Sequence, residues 1–208
     1  VLDIFKIGLG PSSSHTMGPM NAACTFVDDL AGSDALERTA KVGAQLYGSL
    51  ALTGRGHCTD RAVLLGLEGN RPDTIEPDAI EPALKRIRTS NRLQLAGRRE
   101  IEFDEPLDLL FHDDQTLPLH PNGLRFTALD AAGDVLLREE FYSTGGGFIV
   151  RAREFGRAVA GATEVEVPHP FDSARELLQA SRDNGLELHE LILANERAFR
   201  SDAATTAA

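Results

Sequence analysis

Apolar residues in the first third of the chain recur every three or four positions from Met17 to Val27, which is the spacing of one helix face. This helix is predicted to begin near Pro19, because proline is tolerated in a first turn, and to end at Gly32. Cys24 lies within the apolar stripe, and free cysteines are often buried, so we expect it in the core.

A second loop-to-helix transition follows a predicted strand. Apolar residues alternate within 41–52, which predicts a strand that ends at the glycine-rich stretch 53–60. Thr59 or Asp60 can cap a helix that runs to Leu67.

Beyond a third amphipathic helix at 77–88, the pattern changes to short strands joined by turns. The predicted strands cover 93–95, 100–103, 107–111, 124–129 and 135–142. Glycines at 145–147 interrupt a strand-like run, which predicts a bulge or a close approach of the backbone. Together these elements predict an α+β fold, with a mixed or antiparallel sheet and flanking helices.

The C-terminal part of the chain predicts a linker and two further helices. We expect one domain over 1–160, followed by a proline-containing linker at 161–170. Two helices are predicted within 171–200, joined at Asn184–Gly185, and the small polar residues 201–208 are expected to be disordered. The apolar stripe of the last helix must pack against the first domain or against something absent.

Composition limits the classes of function. The chain has 208 residues, of which 42% are hydrophobic and 25% charged, as is typical of globular proteins. Its formal net charge of −11 argues against binding to nucleic acid or to an anionic membrane. No apolar run approaches the ~18 residues that span a bilayer, and the first residues lack a secretory signal, so we expect a cytoplasmic protein.

The candidate cofactor ligands are few. Cys24 and Cys58 are too few for an iron–sulfur cluster and wrongly spaced for zinc, so this chain alone is expected to hold no metal. The lysines, Lys6, Lys41 and Lys85, lie away from glycine loops, which disfavours a Schiff base with pyridoxal phosphate. The sequence contains neither a Walker-type phosphate loop nor a G-x-S-x-G elbow, which disfavours ATP hydrolysis and serine-esterase chemistry.

The loop Gly8–Pro19, called the serine loop below, is a candidate site for a small anion. Backbone N–H groups near a helix start favour negative charge, hydroxyls add donors, and glycine lets a ligand approach the main chain. The polar side chains of this loop are Ser12, Ser13, Ser14, His15 and Thr16.

Histidine is the side chain most easily poised for proton transfer near neutral pH, and His15 and His57 both stand in glycine-rich loops before predicted helices. A lone histidine is more often a structural residue, but the loop setting favours a site for these two. For His120 both interpretations stay open. Arg55 and Arg125 match the fork of a carboxylate, although exposed or salt-bridged arginines are at least as common.

Five blocks of the sequence carry a specific pattern: Gly8–Pro19, Tyr47–Asp60, His120–Phe126, Tyr142–Phe148 and Leu193–Glu196. In these blocks the chain resembles the iron–sulfur L-serine dehydratases, also called L-serine deaminases. The resemblance covers residues 1–199, and blocks of this length are far more specific than one short glycine motif.

The resemblance implies deamination of L-serine to pyruvate and ammonia, with a [4Fe–4S] cluster as Lewis acid in place of pyridoxal phosphate. The family's cluster cysteines lie in a second, C-terminal domain. The chain therefore looks like the N-terminal beta domain plus the first helices of the next domain, whether as a separate subunit, a truncated form or a proteolytic piece. Such a domain resembles the allosteric substrate-binding domain of some D-3-phosphoglycerate dehydrogenases. Its expected partners are L-serine, the cluster-binding alpha domain or subunit and, in a homo-oligomer, further copies of this chain.

The resemblance also suggests roles for individual residues. The base that removes the Cα proton is assigned to His57, with His15 orienting the substrate or moving a proton, and these two roles could be exchanged. The residues assigned to substrate binding are Ser12, Ser13, Ser14, Thr16, Arg55, His120 and Asn122. Two other functions stay open, namely a regulatory serine-binding module without catalytic residues and a structural dimerisation domain.

Overall fold

A computed structural model describes residues 8–156 and 167–198. The contacts divide the chain into a larger unit, Lys6–Gly156, and a smaller one formed by Val1–Phe5 and Arg157–Ala208. The helices are α1 (Gly18–Ala31), α2 (Ala35–Arg38), α3 (Ser49–Thr53), α4 (Thr59–Leu67), α5 (Pro77–Ser90), α6 (Glu105–Asp108), α7 (Ala174–Asn184) and α8 (Leu188–Arg197). The strands are β1 (Lys41–Tyr47), β2 (Arg92–Leu95), β3 (Arg99–Glu102), β4 (Leu109–His112), β5 (Gly123–Leu129), β6 (Val135–Gly145) and β7 (Phe148–Arg151).

Five strands of the larger unit form one mixed sheet in the order β4-β1-β5-β6-β7. Strand β1 is parallel to β4 and antiparallel to β5, while β5, β6 and β7 form an antiparallel meander. Strands β2 and β3 form a separate antiparallel hairpin. The predicted α+β class, with a mixed sheet and flanking helices, is confirmed.

The core lies between this sheet and α1, because alternate residues of the strands point to the helix. Phe26 of α1 stacks on Phe126 of β5 with ring centroids 5.2 Å apart. Cys24 is buried in this core, as the apolar stripe predicts. Helix α4 packs on α1 at Gly66, where an added Cβ would lie 2.5 Å from the carbonyl oxygen of Met20.

Two predicted strands are wrong in part. The strand signal within 41–52 ends at Tyr47, because Gly48 turns the chain at φ +55° and residues 49–53 form α3 instead. The predicted strand at 107–111 divides between α6 and β4. Short apolar runs fit both a strand and a buried helical turn, so their spacing alone does not separate the two.

The glycine run after β6 makes the predicted close approach. Pairing of β6 with β7 shifts in register between Ser143 and Gly145, and positive φ angles of +59° and +78° at Gly146 and Gly147 form the turn. The side-chain amide of Asn21 donates to the carbonyl of Gly147 at 2.9 Å. The turn is thereby held against the start of α1.

In the smaller unit, α7 and α8 are joined at Gly185, which has φ +64°. The side chain of Asn195 in α8 accepts the N–H of His169 at 2.9 Å and donates to the His169 carbonyl at 2.7 Å. Most of the predicted linker, Phe199 and the predicted tail lie outside the described residues, so the domain boundaries stay predictions. Among the helices that the structure describes, none has the length and apolar character needed to cross a membrane.

Candidate active site

The serine loop and the turn Gly54–His57 bring His15 and His57 together in the larger unit. Their ring centroids lie 4.9 Å apart and the ring planes are inclined by 44°. Both side chains are half-buried, so they are sheltered and still accessible to a small ligand. Two imidazoles at this separation can act on neighbouring atoms of one small substrate.

The proton of neutral His57 is fixed by the main chain. Its Nδ1 lies 2.9 Å from the carbonyl oxygen of Thr53. A carbonyl oxygen only accepts hydrogen bonds, so Nδ1 carries the hydrogen and Nε2 keeps its lone pair. Neutral His57 can therefore take up a proton at Nε2.

His15 has hydroxyl partners at both ring nitrogens. Its Nδ1 lies 2.9 Å from Oγ of Ser14, and its Nε2 lies 3.0 Å from Oγ of Ser49. Burial lowers the pKa of His15 and the nearby His57 lowers it further, against a smaller opposite effect of Ser49. The site therefore favours a neutral His15, with a hydroxyl group within hydrogen-bond distance of each ring nitrogen.

Two buried threonines lock the histidine loops to each other. The Thr16 hydroxyl donates to the carbonyl of His57 at 2.8 Å, and the Thr59 hydroxyl donates to the carbonyl of His15 at 2.6 Å. Each loop thus supplies a hydroxyl donor to the backbone carbonyl of the histidine in the other loop. Neither Thr59 nor Asp60, the two predicted caps, occupies the cap position of α4: Cys58 does, and both predicted residues lie in the first turn of the helix. The Thr59 hydroxyl is used in this crossed pair instead.

The serine loop forms one π-helical turn, Ser13–Met17, that leads directly into α1. Oγ of Ser12 accepts the backbone N–H of His15 at 3.2 Å and lies 3.4 Å from Oγ of Ser14. Ser13 is exposed, and its hydroxyl makes no hydrogen bond to any residue in the described part of the chain. Of the three serines, Ser13 thus offers the hydroxyl that is most available to a ligand.

His120 and Asn122 are linked to the serine loop through Ser143. The fully buried Ser143 donates its hydroxyl to the carbonyl of Ser14 at 2.8 Å. Asn122 in turn accepts the N–H of Ser143 at 3.0 Å and donates its side-chain amide to the Ser143 carbonyl at 3.2 Å. His120 Nδ1 accepts the N–H of Asn122 at 3.1 Å. This loop therefore supports the position of Ser14.

The side chains of the two candidate arginines contact groups other than the histidine rings. The guanidinium of Arg125 donates to the Glu140 carboxylate at 2.7 Å and to the Tyr47 hydroxyl oxygen at 2.9 Å. Arg125 is therefore a salt-bridged arginine, which was one of the two interpretations open from the sequence. The guanidinium of Arg55 lies 4.5 Å above the Phe111 ring and borders a cavity of about 450 Å³ whose lining includes neither histidine.

The cysteines do not fit an iron–sulfur cluster. Burial raises the pKa of Cys24 to about 12, and its thiol donates to the carbonyl of Asn70 at 2.8 Å. Cys58 is half-buried at the start of α4. A cluster needs several accessible thiolates. Among residues 8–156 and 167–198, no three His, Cys, Asp or Glu side chains form a group suited to a metal.

The family model for the serine dehydratase beta chain matches residues 1–154. The chain belongs to the serine dehydratase beta chain family. The match includes the serine loop, both histidines and the glycine turn after β6, so the resemblance seen in the sequence blocks is confirmed.

Several curated relatives of this beta chain are L-serine dehydratases. "L-serine dehydratase 2" of Escherichia coli K12 is 47% identical over 203 residues, and the Streptomyces coelicolor "L-serine dehydratase" is 42% identical over 202 residues. The "L-serine dehydratase" of Helicobacter pylori is 38% identical over 201 residues. Each alignment covers 97% of this chain and 44% of the relative. The beta chain thus spans under half the length of these relatives.

Four contributors to the site were not assigned to it by sequence reasoning, which considered Thr59 as a helix cap alone: Ser49, the carbonyl of Thr53, Thr59 and Ser143. All four lie within the blocks Tyr47–Asp60 and Tyr142–Phe148 that carry the family resemblance. Ser49 and Thr53 stand next to glycines and Thr59 lies two residues after His57, which was an available signal. Their partners, however, depend on how distant loops dock, and local spacing does not reveal that.

Proposed function

We propose that this chain is the substrate-binding part of an L-serine dehydratase, which converts L-serine to pyruvate and ammonia, and that it contributes the acid–base residues. The observation that carries the proposal is the pair His15–His57, 4.9 Å apart, with the lone pair of His57 left at Nε2. The relatives that match nearly the whole chain carry the same activity in their names.

In this proposal His57 is the general base. Nε2 of His57 removes the Cα proton of L-serine, the electron pair of that C–H bond forms the Cα–Cβ double bond, and the Cβ–O bond breaks with its electron pair on the oxygen. The hydroxyl takes up a proton and leaves as water, and His57 returns to its neutral form when it gives up the proton it removed. The released aminoacrylate takes up a proton at Cβ to form an imine, and water hydrolyses it to pyruvate and ammonia. Because His15 is neutral, His57 can become positively charged without facing a second charge 4.9 Å away.

The serine loop is proposed to hold the substrate carboxylate. Ser13 offers an exposed hydroxyl with no hydrogen bond to the described residues, and Ser12 and Ser14 lie beside it with half-buried side chains. Thr16 contributes by fixing the loop, since its hydroxyl is used by the His57 carbonyl. His120 and Asn122 act through Ser143 on the same loop.

We further propose that the family's [4Fe–4S] cluster is ligated outside this chain. The two cysteines here do not fit it, and the relatives are more than twice as long as the segment they share with this chain. The cluster-binding portion is thus the expected partner of this domain. No step above depends on its geometry.

The experiment that tests the function is pyruvate formation by the complete enzyme, in which this chain is combined with the cluster-binding portion. We expect His57→Ala to lower kcat by roughly 10²–10⁴-fold with little change in KM, because a general base acts in the transition state. His120→Ala is the matched control and should change kcat far less, since His120 only supports a loop.

Three results would revise the proposal. Loss of activity in His15→Ala with near-normal kcat in His57→Ala would exchange the two roles. Activity in both variants would leave the domain a regulatory serine-binding module. A complete enzyme that binds L-serine but forms no pyruvate would contradict the proposed function itself.

A further inference from the structure

The backbone at Ser49 is held in place by two hydrogen bonds. Ser49 follows β1 directly, after the turn at Gly48, and it begins α3. Its backbone N–H donates to the carbonyl of Pro121 at 3.0 Å, and the N–H of Gly48 donates to the carbonyl of Gln115 at 2.8 Å. The loop after β4 therefore determines where the Ser49 hydroxyl lies.

That hydroxyl meets the ring of His15 from the side opposite the serine loop. Ser49 Oγ lies 3.0 Å from Nε2, and Ser14 Oγ lies 2.9 Å from Nδ1. The imidazole is held at both nitrogens, by Ser14 of the serine loop and by Ser49 at the start of α3. Without Ser49, the hydrogen bond to Ser14, the next residue in sequence, would be the one that the described residues leave to the ring, and the ring could rotate more freely about its side-chain bonds.

A hydroxyl suits a neutral imidazole better than a carboxylate would. Neutral histidine has one N–H and one lone pair, and a hydroxyl can accept from the first or donate to the second. A carboxylate at the same place would stabilise the charged ring. Ser49 thus orients His15 without adding a negative charge that would protonate it.

We propose that Ser49 is a positioning residue, whose hydroxyl holds the His15 ring at Nε2 and so sets its orientation towards His57 and the substrate. The kinetic consequence of this inference rests on the proposed function. The contact itself does not, because it can be measured in the chain without any reaction.

The first test is the ¹⁵N NMR spectrum of the histidine rings in the 208-residue chain. Imidazole nitrogen shifts report protonation and hydrogen bonding separately for Nδ1 and Nε2. Ser49→Ala should move the Nε2 resonance of His15, and Ser49→Thr should restore it. Ser33→Ala removes an exposed hydroxyl at the end of α1 and should leave the ring resonances unchanged.

The second test is kinetic and uses the complete enzyme. One lost hydrogen bond between neutral groups corresponds to about 3- to 10-fold, so Ser49→Ala should lower kcat by that factor with KM nearly unchanged. Ser49→Thr should recover the rate. If Ser49→Ala does not fold, Ser49→Cys weakens the same hydrogen bond and permits the same comparison.

Unchanged His15 resonances in Ser49→Ala would overturn the inference, whatever the activity. So would a kcat for Ser49→Ala equal to that of the unaltered enzyme when His15→Ala is inactive. If His15→Ala retains full activity while the resonance moves as expected, the catalytic role of His15 fails and the positioning contact stands.

Discussion

Hydroxyl groups and a main-chain carbonyl are the hydrogen-bond partners of the two histidine rings, and burial lowers the pKa of His15. His57 is oriented by a carbonyl and His15 by two serines, so the hydrogen bonds place no carboxylate on either ring. The loops of both residues could be recognised from glycine-rich sequence. The tautomer of His57 could not, because the Thr53 carbonyl turns towards it only once residues 49–57 form two consecutive helical turns.

The lowered pKa of His15 predicts a pH-dependent stability. Because the unfolded side chain has a pKa near 6.5 and the folded one is lower, the unfolded chain binds the proton first. The neutral His15 side chain therefore stabilises the folded state. This stabilisation is fully present above the pKa that His15 has in the unfolded chain, and it is lost as pH falls through the lower pKa of the folded chain. Denaturant titrations at about pH 7.5 and about pH 5.5 should show a smaller difference for His15→Gln than for the unaltered chain. Equal differences would mean that His15 titrates normally.

The proposed role of the serine loop in binding the carboxylate is tested most directly at Ser13. Its hydroxyl is exposed, so Ser13→Ala should leave the thermal midpoint unchanged while weakening L-serine binding to the complete enzyme by roughly tenfold or more. Serinamide, which lacks the carboxylate, should bind poorly to the unaltered enzyme. Titration calorimetry measures these affinities. Equal affinities for serine and serinamide would mean that the substrate carboxylate does not bind at the serine loop.

At the scale of elements, the site depends on a tight passage from strand to helix. β1 ends at Tyr47, Gly48 turns the chain, and α3 carries it to the His57 turn. The longer periodic elements, α1 and α5, could be predicted closely because they carry several turns of consistent spacing. α3 and α6 could not, since four or five residues hold too little pattern to separate helix from strand.

The contact between α1 and α4 positions both histidine loops, so it should be sensitive to size. A Cβ at Gly66 would lie 2.5 Å from the Met20 carbonyl oxygen and 2.7 Å from the Cβ of Ala23. Gly66→Ala should therefore reduce the free energy of unfolding by about 1–3 kcal/mol, as overpacking does. Gly43→Ala is the control, because nothing lies within 4 Å of the added carbon. Similar stabilities of the two variants in denaturant titrations would contradict this close packing.

At the scale of the whole molecule, this chain corresponds to 44% of the length of its relatives in Escherichia coli and Streptomyces coelicolor. The family and the fold class could be predicted from sequence, because long motifs and periodicity specify them. The homo-oligomer, the cytoplasmic location and the source of the cluster stay predictions, since they depend on surfaces and residues beyond those described.

If the cluster is ligated outside this chain, as proposed, the behaviour of the chain by itself can be predicted. Anaerobic reconstitution with iron and sulfide should produce no stoichiometric absorption near about 400 nm, because one of its two thiols is buried with a raised pKa. The chain should also form no pyruvate from L-serine. A stoichiometric chromophore together with pyruvate formation would contradict this prediction, because it would show that the chain alone holds a cluster and catalyses the reaction.

The most direct test of the central claim is chemical rescue of His57→Ala in the complete enzyme. If Nε2 of His57 removes the Cα proton, added imidazole should restore part of the pyruvate formation, and more basic substituted imidazoles should restore more. His15→Ala should not respond in this way. The account is contradicted if His57→Ala forms pyruvate at the unaltered rate without imidazole, or if imidazole restores His15→Ala and leaves His57→Ala inactive.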